Sequence, residues 1–206
     1  MKKWESVLCR EAHLFLFIII ASILIEGCAE ESKVDTSAAQ RNLQLGWKQY
    51  NAGKYTEAVL SFERSTNLDE SISDAYNGLG WAKLSTSQNP VLNLSVVEEA
   101  MADFSEAIKR DDKNADAWVG LANTLFLRRL NQSDFEKAIK AIDIAMQQAN
   151  QEYLYRHDYQ SEAELHALKS ACYFYLNDKS SAKAEMNATL KIKPQNQTVV
   201  ALRQLM

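Results

Sequence analysis

Residues that could carry out catalysis or bind a metal are sparse in this sequence, and they fall into no recognised pattern. No Cys-x-x-Cys, His-Glu-x-x-His or glycine-rich phosphate-binding loop occurs. The acidic pairs Glu98-Glu99 and Asp111-Asp112 are adjacent in sequence. On a helix such neighbours point about 100° apart, whereas paired catalytic carboxylates must converge. The sequence therefore predicts no catalytic residue, no metal site, no cofactor and no small-molecule substrate.

Two histidines and one cysteine follow the N-terminal segment. His157 lies in the tyrosine-rich stretch 153–159. That stretch is interpreted either as a polar and aromatic recognition patch on an inserted loop or as a helix extension that packs on its neighbours. His166 and Cys172 lie in an apolar helical segment. We expect a core or half-buried histidine there, and a cysteine that behaves as a small buried hydrophobic residue.

The composition favours a single helical domain. Only 6 Gly and 2 Pro occur among the 206 residues, and both residue types destabilise helix interiors. The formal net charge of −4 supplies no basic face, so no nucleic-acid partner is expected. Two of the three cysteines, Cys9 and Cys28, lie near the N-terminus, so their spacing does not indicate a disulfide framework.

The N-terminus has the features of a secretory signal. Lys2 and Lys3 precede an unbroken apolar run, Leu14–Ile25. As a helix this run would span about 18 Å, which is short of the roughly 30 Å hydrocarbon core of a bilayer. A positively charged start followed by a short apolar stretch is typical of a signal peptide that directs export.

The residues at the end of the apolar run, Ile25-Glu26-Gly27-Cys28, resemble the bacterial lipoprotein box. The resemblance implies that Cys28 becomes the first mature residue and carries the lipid, including palmitate. Ala29 rather than Asp follows the cysteine, which by the same resemblance implies sorting to the outer membrane with the chain facing the periplasm. The alternative is an uncleaved signal anchor. The predicted segments are a signal peptide, 1–27, and a lipidated cysteine with a flexible tether, 28–36.

Small and large apolar residues recur in register along residues 39–196. Small residues stand where paired helices must approach closely: Gly46, Gly80 and Ala122 on first helices, and Ala58, Ala100, Ala138 and Ala182 on second helices. Four residues after each of those alanines comes a large apolar residue on the same helix face: Phe62, Phe104, Ile142 and Met186. One such helix pair cannot bury its apolar face alone, but a stack of pairs can.

This pattern resembles the tetratricopeptide repeat (TPR), a helix–turn–helix unit of about 34 residues. The resemblance implies an all-α fold, a right-handed α-solenoid of about four TPR units plus a C-terminal capping helix. The domain would comprise residues 37–206, with units at about 39–72, 73–114, 115–152 and 163–196 and the cap at 198–206. Extra residues in two inter-helix turns, 85–95 and 128–133, are predicted to protrude.

Capping boxes indicate where several helices begin. A serine followed three residues later by Glu or Gln allows the two residues to satisfy each other's backbone N–H groups. The matching pairs are Ser37 with Gln40, Ser95 with Glu98, Ser133 with Glu136 and Ser161 with Glu164. They place second helices near 96–110 and 134–149, and a first helix near 162–176.

The TPR resemblance also implies a partner-binding groove. In that family the second, fifth, ninth, twelfth and thirteenth positions of each unit face the concave side, which accepts a protein or peptide. Two further positions in this register hold Ser85 and Leu127. The predicted groove residues are Gln40, Leu43, Trp47, Tyr50, Asn51, Asp74, Asn77, Trp81, Leu84, Asp116, Val119, Asn123 and Phe126.

Within this groove the large and the amide side chains suggest how a partner would bind. Trp47 and Trp81 occupy the same position of successive units and would serve as exposed anchors, while Asn77 and Asn123 would bond an extended peptide backbone. An alternative places the tryptophans in the core. The basic clamp with which some TPR proteins bind a terminal carboxylate is missing, because Leu43 and Trp47 stand at its positions.

The sequence is therefore interpreted as a membrane-anchored TPR adaptor that holds one or more proteins of a cell-envelope, pilus or secretion assembly. Two alternatives remain open at this stage. One is an accessory hydrolase with a site in the loop at 150–160. The other is a self-assembling structural lipoprotein whose groove binds the tether of a neighbouring copy.

Overall fold

Helices make up the regular secondary structure of this protein. The computed structural model describes residues 35–87, 93–147 and 161–206, and within those ranges it contains α-helices and no strands. The predicted all-α fold is confirmed. The helices are α1 Thr36–Asn51, α2 Tyr55–Leu68, α3 Ser73–Thr86, α4 Leu94–Arg110, α5 Ala115–Arg128, α6 Gln132–Gln147, α7 Glu162–Tyr175, α8 Lys179–Ile192 and α9 Gln197–Leu205.

The helices pair and stack as the repeat pattern predicts. Each helix packs against the next along the chain, and the odd-numbered helices also contact one another in the order α1, α3, α5, α7, α9. The odd-numbered helices therefore form the more closely spaced wall, called the inner face here. The even-numbered helices form the outer face. The right-handed twist of the stack stays a prediction.

The helix starts agree with the sequence within two residues, but most of the caps differ. Asn93 and Asp35, not Ser95 and Ser37, accept hydrogen bonds from backbone N–H groups of α4 and α1. Each cap lies two residues before the predicted serine because Asn and Asp are at least as effective as Ser at that position. At α7 the predicted residue is the N-cap, where the Ser161 hydroxyl donates to the carboxylate of Glu164 at 2.6 Å.

The turn between α5 and α6 is tight, and its residues Arg129, Leu130 and Asn131 are exposed, so the protrusion of 128–133 as a contact site stays a prediction. The Asp134 carboxylate forms an ion pair with Arg128 and accepts a hydrogen bond from the backbone N–H of Leu130 at 2.9 Å. Arg129 takes a left-handed conformation, with φ of 34°. The buried carboxylate thus holds the turn against the helix ends. In the other predicted insertion, residues 88–92 lie outside the described ranges, as does 148–160.

Two phenylalanine rings set the spacing of the first three helix pairs. Phe62 and Phe104 are fully buried, and each lies between glycines of two successive inner helices. A methyl group added at Gly46 would lie 2.6 Å from the Phe62 ring, and one at Gly80 would lie 2.9 Å from the Phe104 ring. On the next inner helix in each case, a methyl group added at Gly78 or Gly120 would lie even closer to the same ring. Only glycine allows the inner helices to approach the rings this closely.

The predicted contact between small and large residues is thereby confirmed for Phe62 and Phe104, with a second glycine on each ring that the pattern did not single out. Gly78 faces the ring of the preceding outer helix, whereas Gly80, two residues later, faces the ring of the following one. One inner helix therefore serves two rings. This arrangement couples neighbouring units through direct contact, as expected in a stack stabilised by interfaces between repeats.

Gly120→Ala should destabilise the fold despite the better helix propensity of alanine. The new methyl group meets three atoms of the Phe104 ring, and overpacking of this kind typically lowers the unfolding free energy by about 1–3 kcal/mol. Urea unfolding followed by far-ultraviolet circular dichroism measures the change. A Phe104→Leu background is the control, because the smaller side chain should accept the methyl group. An equal effect of Gly120→Ala in both backgrounds would contradict the contact.

Candidate protein-binding surface

The predicted groove residues divide into two sets according to their exposure. Seven of the thirteen are buried: Leu43, Tyr50, Asn77, Trp81, Leu84, Asp116 and Val119. The other six are half-buried or exposed: Gln40, Trp47, Asn51, Asp74, Asn123 and Phe126. Partner binding by the accessible set stays a prediction, whereas the buried set is part of the internal packing of the domain.

The tryptophans pack against the phenylalanine rings instead of lining an open groove. Trp81 is 2% exposed and meets the Phe104 ring edge-on, with ring centroids 5.2 Å apart. Trp47 makes the same contact with Phe62 at 4.9 Å. Edge-to-face aromatic pairs of this kind contribute about 0.5–1.5 kcal/mol beyond burial. The expectation that Trp81 is an exposed anchor is therefore wrong, and the alternative that places it in the core is right.

A chain of hydrogen-bonded polar side chains links the inner helices of the first three units. The Trp47 indole N–H donates to Asp74 at 3.0 Å, and the Asn77 amide donates to Asp74 at 3.2 Å and to Asp116 at 2.7 Å. We call these four residues the polar ladder. Asn77 and Asp116 are buried, so their hydrogen bonds form within the protein. The prediction that Asn77 bonds a peptide backbone is therefore wrong.

The inner face opens farther along the stack, in a cleft of about 250 Å³ that we call the inner cleft. It lies between α5 and α7 and is closed at one end by the start of α9. Small side chains create the space: at the fifth and ninth positions of the fourth unit stand Ala167 and Ala171, where the first unit has Leu43 and Trp47. The lining residues are Asn123, Phe126, Leu127, Glu164, Ala167, Leu168, Ala171, Asn196 and Thr198.

An aromatic cluster adjoins the inner cleft. Phe126 lies 5.9 Å from Tyr175 and 6.1 Å from Phe135, measured between ring centroids. The rings of Phe135 and Tyr175 stack with an interplanar angle of 7°. Tyr175 nevertheless remains 48% exposed. A large aromatic side chain held by its neighbours and still exposed is a suitable anchor for a partner, because little conformational entropy remains to be lost.

The polar groups of the inner cleft differ in whether they already form hydrogen bonds within the protein. Burial acts to raise the pKa of Glu164, but hydrogen bonds from Lys193 and Ser161 outweigh it, so the pKa lies below its ordinary value. The carboxylate is therefore ionised at neutral pH. The Asn196 side chain caps α9 by accepting from the Val199 N–H. Among the described residues, the side-chain amide of Asn123 has no hydrogen-bond partner, so it is free to bond a peptide group.

Sequence reasoning missed the contribution of α7 to this cleft, although the signal was present. The register that selects Asn123 and Phe126 in the third unit selects the second, fifth and ninth positions of a fourth unit that starts at Ala163. Those positions hold Glu164, Ala167 and Ala171, and all three line the inner cleft. The signal is weak because the first helix of the fourth unit contains no glycine and has His166 at a position that is usually aromatic in the repeat.

The nucleophilic and titratable side chains of α7 have structural surroundings. Cys172 is fully buried, and burial raises the pKa of its thiol to about 12, so the thiolate is not formed at neutral pH. His166 is half-buried and lies 2.6 Å from a carboxylate oxygen of Glu185. Both expectations are confirmed. Across the described residues, no group of three or more His, Cys, Asp and Glu side chains is arranged to hold a metal ion. His157 lies outside them.

Known proteins resemble this chain in the arrangement of its helices and not in its sequence. The sequence matches no family model and no curated protein. Among solved structures it is similar to pilF of Pseudomonas aeruginosa, with 17% identity and a TM-score of 0.60 over 79% of this chain and 64% of that one. It is also similar to MamA, with 17% identity and a TM-score of 0.54 over 72% of this chain and 74% of that one. Both are TPR proteins.

The chain has the tetratricopeptide-repeat fold. The match spans somewhat less than two thirds of the pilF structure. A third TPR structure, TTC0263 of Thermus thermophilus, matches with 15% identity and a TM-score of 0.44 over 80% of this chain and 96% of that one. In TPR terms, the even-numbered helices are the second helices of four units, and α9 is the predicted cap.

Asn77→Leu should destabilise the TPR stack, because it leaves the buried Asp116 carboxylate without its 2.7 Å donor. Loss of a buried partner typically costs about 1–3 kcal/mol of unfolding free energy. The matched control is Asn123→Leu, which removes an amide without a partner and should change the free energy by less than about 0.5 kcal/mol. Urea unfolding measures both, and equal losses would show that the polar ladder is not stabilising.

Proposed function

We propose that this protein is a membrane-anchored adaptor whose inner cleft binds a segment of a partner protein in the cell envelope. The observation that supports this most is the position of the inner cleft. It lies on the face that the odd-numbered helices form, beyond the part of the described inner face where the polar ladder and the tryptophans pack. TPR proteins similar in fold provide the structural precedent.

The chemistry of the inner cleft selects the kind of segment that fits. Ala167, Ala171 and Leu168 give an apolar floor for one side chain of the partner. Asn123 offers an amide that can bond a backbone group, and exposed Tyr175 stands beside the cleft. Glu164 is paired with Lys193 at 2.6 Å, so it adds no uncompensated charge to the inner cleft. The partner segment is therefore expected to supply an apolar anchor residue and a backbone group that bonds Asn123.

The membrane anchor forms the second part of the proposal. It rests on the apolar run Leu14–Ile25 and on Ile25-Glu26-Gly27-Cys28, all of which lie outside the described residues. Among the helices that the structure does describe, none is long and apolar enough to cross a bilayer. Attachment would therefore come from the N-terminal segment, with acyl chains on Cys28 and outer-membrane sorting through Ala29. Stable attachment needs more than one acyl chain.

Blocking the inner cleft should abolish partner capture without loss of the fold. Asn123→Arg places a long charged side chain in the cleft, and we expect partner recovery to fall by at least about tenfold, since one lost anchor typically costs more than 1.4 kcal/mol. Cross-linked pull-down from membranes with mass spectrometry measures recovery. Asn67→Arg, at an exposed position of the outer helix α2, is the matched control. Equal recovery with Asn123→Arg and with the unchanged chain would exclude the inner cleft as the binding site.

Cys28→Ala should release the chain from the membrane if the lipoprotein interpretation is correct. The substitution removes the thiol through which the lipid would be attached. Incorporation of labelled palmitate and the partition of the protein between membrane and soluble fractions measure the effect, with Cys172→Ala as the control. Membrane retention without palmitate labelling in the unchanged chain would support the uncleaved anchor instead.

A further inference from the structure

A second cleft, larger than the inner one, lies on the outer face of the stack. It has a volume of about 420 Å³ and is bounded by α4 and α6, with α5 as its floor. We call it the outer cleft. On α5, its residues Trp118, Leu121 and Leu125 alternate with the inner-cleft residues Asn123 and Phe126. At about 100° per residue the two sets centre on opposite sides of the helix, so the two clefts are separate sites.

The floor of the outer cleft is apolar and elongated. Leu125 and Ala141 are buried, while Trp118, Leu121 and Ile144 are half-buried and therefore partly exposed to the cleft. The lining of α5 extends from Trp118 to Arg128, which corresponds to about 15 Å along the helix axis. Two neighbouring helices form the long walls. A straight apolar channel between two helices has the dimensions that receive the ridge of a third helix.

The rim of the outer cleft carries positive charge on the α6 side. Lys137 and Lys140 line the cleft and are exposed, and among the described residues neither ammonium group has a carboxylate within ion-pair distance. Arg128 also lines the cleft, but it is paired with Asp134. Within 35–87, 93–147 and 161–206, no acidic side chain lines the cleft, although the chain as a whole has a net charge of −4. The free charge at this site is therefore opposite in sign to that of the whole chain.

We infer that the outer cleft binds an acidic amphipathic helix of a partner protein. Apolar residues of that helix at i, i+3, i+7 and i+10 would pack on the floor, because these positions form one stripe and span the length of the channel. Aspartate or glutamate residues along one flank would face Lys137 and Lys140. Charge complementarity would determine the orientation of the bound helix and the selectivity of the outer cleft for its partner. The apolar floor would supply most of the contact area. This site is independent of the inner cleft, so two partners could bind at once.

The test uses the full chain in nonionic detergent and a designed probe. The probe is a fluorescein-labelled 14-residue helical peptide with leucines at the four stripe positions and glutamates on one flank, and its binding is followed by fluorescence anisotropy. We expect the double variant Lys137→Glu/Lys140→Glu to bind at least about tenfold more weakly, because reversal turns two attractions into repulsions. The matched control Lys179→Glu/Lys183→Glu changes the net charge equally at exposed positions of α8 and should bind within about twofold of the unchanged chain.

Two further peptides and one cross-linking experiment show which interactions and which site account for any binding. A peptide with glutamine for glutamate should bind weakly, and so should a scrambled peptide of the same charge with its leucines spread around the helix. A photoreactive group on the leucine stripe should label residues 101–105 or 137–144, also in the Asn123→Arg variant. Equal binding of the scrambled peptide, an equal loss in the α8 control, labelling of inner-cleft residues, or no saturable binding to the unchanged chain would each overturn the inference.

Discussion

The rings of Phe62 and Phe104 lie so close to the backbones of two inner helices that only glycine fits at the points of contact. The other packing contacts of the domain depend on this close approach. Each ring fixes the distance between the first helix of its own unit and that of the next unit. Glycine at these four positions gives up the packing of a methyl group. The close contact between the helix backbones and the phenylalanine rings offsets that loss.

The contact with glycine also determines how the tryptophans are used. With the phenylalanine rings held against the inner helices, the indoles of Trp47 and Trp81 cover the ring edges. The polar ladder then satisfies the nearby amide and carboxylate groups inside the domain. As a result, the side chains that look most suited to binding on the basis of type alone stabilise the repeat interfaces. Trp81, Asn77 and Asp116 are buried in this way, whereas Gln40 and Asn51 on the same face remain exposed.

The two proposed binding surfaces lie where this packing scheme changes. In the fourth unit, alanines replace the large residues at the fifth and ninth positions, and the inner cleft opens beside Tyr175. On the opposite side of α5, the outer cleft lies between two outer helices, which are more widely spaced than the inner ones. A curved stack produces both features, because crowding on one face requires separation on the other. One helix can therefore present two chemically different surfaces to two partners.

The sequence alone determined the helix pairs, their order, their starts within two residues and the contact between small and large residues. These features depend on local spacing and on one repeating contact, and both can be recognised along the chain. The tertiary structure decided which inward positions remain accessible. Trp81 and Asn77 occupy binding positions in the repeat register, yet burial depends on Phe104 and Asp116, which are distant in sequence. The outer cleft likewise exists only because three helices meet there, and no pattern within one helix can indicate the space between them.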